Sequence, residues 1–206
     1  MPKKEVPLKQ LEDYIPEGSY EGVMRYLHQH KVHLTVTRKR ESILGDYRHK
    51  HYDKAHRISV NGNLNKYSFL ITLLHELAHL LTFEKYGNIV APHGKEWKYE
   101  FGLILKEFIS HKIFPGEIEL TLLRSVSNPA ASSCGDVKLL RVLKKYDDKK
   151  EGTVLVEHVP ENAFFKIRGE RIFRRGEKMR TRFKCLEIAT KKWFLFSGLY
   201  EVQLIN

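Results

Sequence analysis

Residues 68–86, SFLITLLHELAHLLTFEKY, constrain the fold more than any other stretch of this chain. On a helix of about 3.6 residues per turn, the leucines, isoleucine, phenylalanines and Ala78 cover most of the circumference. A helix this apolar is buried on most sides, so the rest of its domain must wrap around it. The polar exceptions line up. Ser68, Thr72, His75, His79, Thr82 and Tyr86 are spaced 4, 3, 4, 3, 4 and form one stripe, with Glu76 at its edge.

Two histidines in a buried stripe have an ordinary reading, as core residues satisfied by hydrogen bonds. The neighbouring glutamate weighs against it. Each polar group buried without a partner costs roughly 1–3 kcal/mol, and a charge costs more. A metal ion removes that cost for the whole group. Neutral imidazoles at i and i+4 can aim ring nitrogens at one point about 2.0–2.1 Å from each, as tetrahedral zinc requires. Glu76, offset from the pair, is placed to act on a water as general base.

HExxH is a short pattern, and its meaning depends on a third ligand. Gly at 82 and His at 85 would be needed for the HExxHxxGxxH arrangement, but those positions hold Thr82 and Lys85. The candidates are His93, Glu96 and Glu100. His93 precedes a second helix, and Gly94 frees the backbone there, so its side chain can point back at the first. HELAH, the following His93-Gly94-x-x-Trp97, and LGDYR with HRISVN ahead of the helix together resemble the SprT-like domain. This is the zinc metalloprotease domain of bacterial SprT proteins and of the Spartan proteases that degrade DNA–protein crosslinks. The resemblance covers about residues 19–125. It implies one zinc ion held by His75, His79 and His93, with Glu76 as the catalytic base.

The expected fold class is α+β: a zincin-like domain with a small antiparallel or mixed sheet packed on the HExxH helix, then a small β-rich unit. Helices are predicted at 7–15, from Ser19 onward, at 66–86, 95–110 and 117–124. Strands are predicted at 32–37, 43–49 and 56–62. Residues 126–136, small, polar and Pro-containing, read as a linker between a domain at 1–125 and a unit at 137–206. In that unit VKLLRVL, TVLVEHV, AFFKIR, MRTRFKCLEI, KWFLF and YEVQLI all read as strands. Many SprT relatives end in a zinc ribbon with two close cysteine pairs. Cys134 and Cys185 stand alone here, so the unit is expected to be ribbon-like without metal.

Charge points to a partner. Lys and Arg outnumber Asp and Glu 36 to 25, and residues 136–206 carry a net +7 against +4 for the rest. RGERIFRRGEKMRTRFK holds Arg168, Arg171, Arg174, Arg175, Arg180, Arg182 and Lys184 near several aromatics. Such a face suits phosphate contact and base stacking, with DNA as the expected partner; a solvated face over a small aromatic core is the plain alternative. The remaining histidines, His28, His30, His33, His49, His51 and His56, share no ligand spacing and are expected to be solvated. No apolar run is long enough to span a membrane or form a signal-peptide core. With only two cysteines, the expectation is a soluble protein of the cytoplasm, nucleoid included. The expected function is a zinc endopeptidase acting on DNA-associated or DNA-crosslinked proteins. The alternatives are a nucleic-acid-binding protein with a structural metal and a cytosolic peptidase with no nucleic-acid role.

Overall fold

The computed structural model describes residues 8–50, 55–131, 136–148, 151–167 and 169–205, and the chain divides into two units, 1–147 and 148–206. The first is α+β. A 3-10 helix, Leu8–Asp13, precedes α1 (Tyr20–Gln29), β1 (Val32–Thr37), β2 (Gly45–Arg48) and β3 (His56–Asn61). Four helices follow: α2 (Lys66–Tyr86), α3 (Lys95–Ser110), α4 (Gly116–Ser125) and α5 (Val137–Leu143). The sheet is mixed, in the order β1-β3-β2, with β1 parallel and β2 antiparallel to β3.

α2 is the axis of this unit. Phe69, Leu70, Leu73, Leu74, Leu77, Ala78 and Leu80 are fully buried. β2 and β3 lie along one side and α3 along another. Asn65 caps the helix by accepting from the Ser68 N–H at 2.9 Å, and Gly87, at φ 60°, ends it. Glycine tolerates that backbone at no steric cost. Ser19 precedes α1, but its hydroxyl donates to Pro16 O instead of capping the helix.

One expected strand is a helix. VKLLRVL forms α5, begun by Asp136, whose carboxylate accepts from the Lys138 and Leu139 N–H groups at 3.0 Å. Leu139 and Leu143 join the core of the first unit. The division between the units therefore falls after Asp147, not within 126–136. Asn65 ties the segment down further, donating to Leu143 O at 3.1 Å and to Asp147 Oδ1 at 2.5 Å.

The second unit is one antiparallel sheet. Its strands are β4 (Thr153–Leu155), β5 (Phe164–Lys166), β6 (Ile172–Lys178), β7 (Arg182–Glu187), β8 (Trp193–Ser197) and β9 (Glu201–Ile205). They run in the order β4-β9-β5-β6-β7-β8. Phe165, Phe173, Phe183, Cys185 and Val202 form its core, and Cys185 is a free thiol. β6 falls inside the charge run and carries no strand expectation from sequence. It meets β7 through an irregularity between Arg175 and Lys178.

Candidate metal centre

Three ring nitrogens meet on one side of α2. The Nε2 atoms of His75 and His79 lie 3.2 Å apart, those of His79 and His93 3.1 Å, and those of His93 and His75 3.3 Å. Among the described residues, these three side chains are the group able to hold a metal ion. A zinc-sized tetrahedral ion held at about 2.0–2.1 Å would set its nitrogen ligands about 3.3–3.4 Å apart. The observed triangle is slightly tighter than that, so the donor set fits.

The local fold explains the convergence. His75 and His79 are one turn apart on α2. His93 sits immediately before Gly94, the residue preceding the first turn of α3. Trp97, fully buried, backs all three, with ring centroids 4.7, 5.4 and 4.7 Å from His75, His79 and His93. Burial, then the neighbouring imidazoles, pushes His75 down to about 3 and His79 to about 4. Burial also lowers His93. The rings are thus neutral at pH 7, with lone pairs available to a cation.

The other stripe residues do different work. The Thr72 and Thr82 hydroxyls donate to Ser68 O and Ala78 O one turn back, so the helix backbone satisfies them. Glu96 and Glu100 lie outside the triad. Glu100 is buried and accepts from Lys85 Nζ at 2.7 and 2.8 Å. Glu96 stands 3.9 Å from Lys95 Nζ.

Glu76 is 7% exposed, and its carboxyl lies against the backbone of β2. Burial first, and Asp46 second, raises it to about 8, against an opposing pull from Arg40. Gly45 makes this approach possible. A Cβ there would stand 2.5 Å from Glu76 Oε1 and 2.8 Å from Thr72 Cγ2. Arg40 pins the chain leading into β2, donating to Asn61 Oδ1 at 2.7 Å and Ser59 Oγ at 3.0 Å. Gly45 falls within LGDYR, whereas Arg40 belongs to no motif that the sequence singles out.

Two of the histidines expected in solvent are not there. His56 is buried in β3, with Nδ1 2.9 Å from the Tyr47 hydroxyl and Nε2 3.6 Å from Glu84 Oε1. His30 Nδ1 lies 2.7 Å from Glu84 Oε2. Period-2 burial of β3 carries His56 inward with Ile58 and Val60. His51 lies outside the described residues.

The basic residues of the second unit separate onto two faces. Arg171 pairs with Glu187 at 2.5 Å and lies over the rings of Phe173 and Phe194. Arg175 lies over Phe183, 4.5 Å from its centroid. Both stand on the core side of the sheet. Pairing puts Arg174 opposite Leu186, and Lys184 opposite Leu195, on the other side. There Lys184 Nζ lies 4.7 Å from the centroid of the half-exposed Trp193 ring. Arg182 begins β7, exposed, and Arg180 lies in the bend before it. Arg168 lies outside the described residues.

Residues 8–108 match the SprT-like family. Protein SprT of Yersinia pseudotuberculosis serotype O:1b (strain IP 31758) is 49% identical over 43 residues, 20% of this chain and 25% of that protein. Protein SprT of Proteus mirabilis (strain HI4320) gives the same figures. Protein SprT of Pectobacterium carotovorum subsp. carotovorum (strain PC1) is 53% identical over 32 residues, 16% of this chain and 18% of that protein. The chain spans at most about a quarter of the length of these curated relatives. No solved structure matches it. Residues 8–108, close to half of the chain, are thus identified as a SprT-like domain.

Proposed function

We propose that the chain is a zinc-dependent endopeptidase of zincin type that acts on DNA-associated or DNA-crosslinked proteins. The observation carrying this is the convergence of the His75, His79 and His93 Nε2 atoms within 3.3 Å, one residue along the helix from a buried glutamate. His75, His79 and His93 would hold the zinc ion, which when bound would supply Lewis acidity toward water and a peptide carbonyl.

The chain's own chemistry is proton handling. Glu76 takes a proton from the attacking water and returns it to the leaving amine nitrogen. Burial raises the Glu76 carboxyl above the ordinary carboxylate range, which suits it to hold the proton it has taken until the amine receives it. Gly45 and Thr72 fix its position, and Trp97 keeps the ligand rings from turning away. The exposed side of the second unit, with Arg174, Arg182 and Lys184 beside Trp193, supports contact with DNA.

The test is elemental analysis together with casein cleavage, with and without single-stranded DNA, for wild type and Glu76→Gln. About one zinc per chain is expected in both proteins, with cleavage falling at least about 100-fold in the variant. Cleavage surviving in purified Glu76→Gln would sink the mechanism. Acceleration by DNA supports the DNA-linked role, and equal rates favour a peptidase without one.

A further inference from the structure

Beside Glu76 the site opens into a cavity of about 320 Å³. His75 and Glu76 stand in its wall, and Thr72 and Ile71 continue that wall toward the start of α2, away from His79. Most of the remaining wall is apolar: Leu44 ahead of β2, Phe101 and Leu105 on α3, Leu122 on α4 and Leu139 on α5. All but Leu44 of these five are buried, so the wall is packed and preformed. Two carboxylates, Glu41 and Asp136, also line it.

We propose that this cavity seats one apolar side chain of the substrate: that of the residue whose nitrogen leaves when the peptide bond breaks. The proposal rests on the peptidase reading and names its substrate preference. Three observations support it. The volume is at the low end of small-ligand sites, about 300–1,000 Å³, which suits one large side chain and not a length of chain. The wall rewards burial of apolar surface, while an acidic side chain would meet Glu41 and Asp136 and lose its hydration. Glu76 must reach the leaving nitrogen to protonate it, so the residue carrying that nitrogen lies on the Glu76 side, where the cavity begins. Leu122 and Leu139 lie beyond residues 8–108, the segment that matches the family. Part of the wall therefore comes from outside the matched segment.

The experiment reads cleavage positions in β-casein by mass spectrometry for the full-length, zinc-loaded protein, beside two narrowing variants. Ala130→Trp fills the cavity from its half-buried rim, and Ser125→Phe fills it from the end of α4. Thermal melts show that each variant is folded. Wild type is expected to cut in front of Leu, Phe, Met or Ile at least about tenfold more often than in front of Asp or Glu, the scale on which apolar pockets discriminate. Either narrowing variant should shift the preference to Ala and Ser. Casein cut with no apolar excess at that position, with the excess on the other side of the bond, or with a map that both folded variants leave unchanged, overturns the proposal.

A second readout separates the cavity from the reaction. Labelled peptides Gly-Gly-Ala-Leu-Gly-Gly and Gly-Gly-Ala-Asp-Gly-Gly are titrated against zinc-loaded Glu76→Gln. Tighter binding of the leucine peptide, lost when Ala130→Trp is added, upholds the cavity even if wild type cuts nothing, a result that removes only the peptidase reading. Equal binding of the two peptides overturns the cavity's role whatever the cleavage result.

Discussion

His79 and His93, fourteen positions apart in sequence, bring their Nε2 atoms to 3.1 Å across the start of α3. Two imidazoles cannot both carry a proton at that distance without strong repulsion, and burial already disfavours the charge. A shared cation resolves the contact. His93→Ala removes the one histidine of the triad not borne on α2. Zinc affinity, measured by competition with a chromogenic chelator, should fall by more than the roughly 10–100-fold that follows loss of an outer partner. Zinc should also raise the wild-type melting temperature, by about 2.7 kcal/mol of stability at a hundred times Kd, and raise that of the variant far less.

Gly45→Ala tests whether β2 positions Glu76. The added Cβ would stand 2.5 Å from Glu76 Oε1, so the carboxyl must move. No histidine of the triad is among the atoms that the added Cβ would meet. Zinc content should stay near one per chain while kcat/KM on casein falls about 100-fold, the scale of a displacement of about 1 Å in a reacting group. Equal loss of zinc and activity would mean that the substitution disrupts the unit as a whole.

The long helices were legible because their signals agree. α2 and α3 have 3.6-residue apolar patterns, an Asn or Gly at the start and a Gly or Pro-bearing loop beyond. β1 and β3 show a clean period of two. VKLLRVL was not legible: seven residues with two cations and five apolar groups satisfy both periods. Asp136 decides for helix by capping, and the core of the first unit decides by taking Leu139 and Leu143. β6 stayed hidden because Arg174 and Arg175 are adjacent cations inside it, and Arg175 occupies a core-side position where a strand pattern calls for an apolar residue. The His triad was read from sequence; the apolar cavity was not, because its walls come from five separate segments. The domain boundary has a direct consequence. A chain ending at 136 should be less stable than one ending at 147 by about 3–6 kcal/mol, for two leucines at about 1.5–3 kcal/mol each. Urea denaturation of the two truncations measures it.

His56 sets a pH dependence. Burial lowers its pKa, as do Lys50, His30 and His49, against the opposing pull of Glu84. Its unfolded value is about 6.5. Above that pH, neither state carries the proton and the residue costs nothing. As pH falls through that value, the unfolded chain takes up a proton that the folded chain resists, so stability is lost toward the lower folded value. Melting temperatures measured from pH 7.5 to 5 should therefore drop more steeply for wild type than for His56→Gln. Parallel curves would remove His56 as the cause.

The basic residues of the second unit should separate in function as they separate in space. Lys184 and Arg174 stand on the side of the sheet that carries Trp193, and Arg171 is held by Glu187 among phenylalanine rings on the other. A phosphate contact shows itself through counterion release: each one lost lowers the salt dependence of single-strand binding by about 0.7 in log–log slope. Lys184→Gln with Arg174→Gln should weaken binding to a fluorescent oligonucleotide, flatten that slope by about 1.4, and leave the melting temperature nearly unchanged. Arg171→Gln should do the reverse, lowering the melting temperature because Glu187, buried, loses its cation, while the slope stays as in wild type. If Arg171→Gln flattens the slope and the paired substitution does not, DNA meets the opposite side of the sheet.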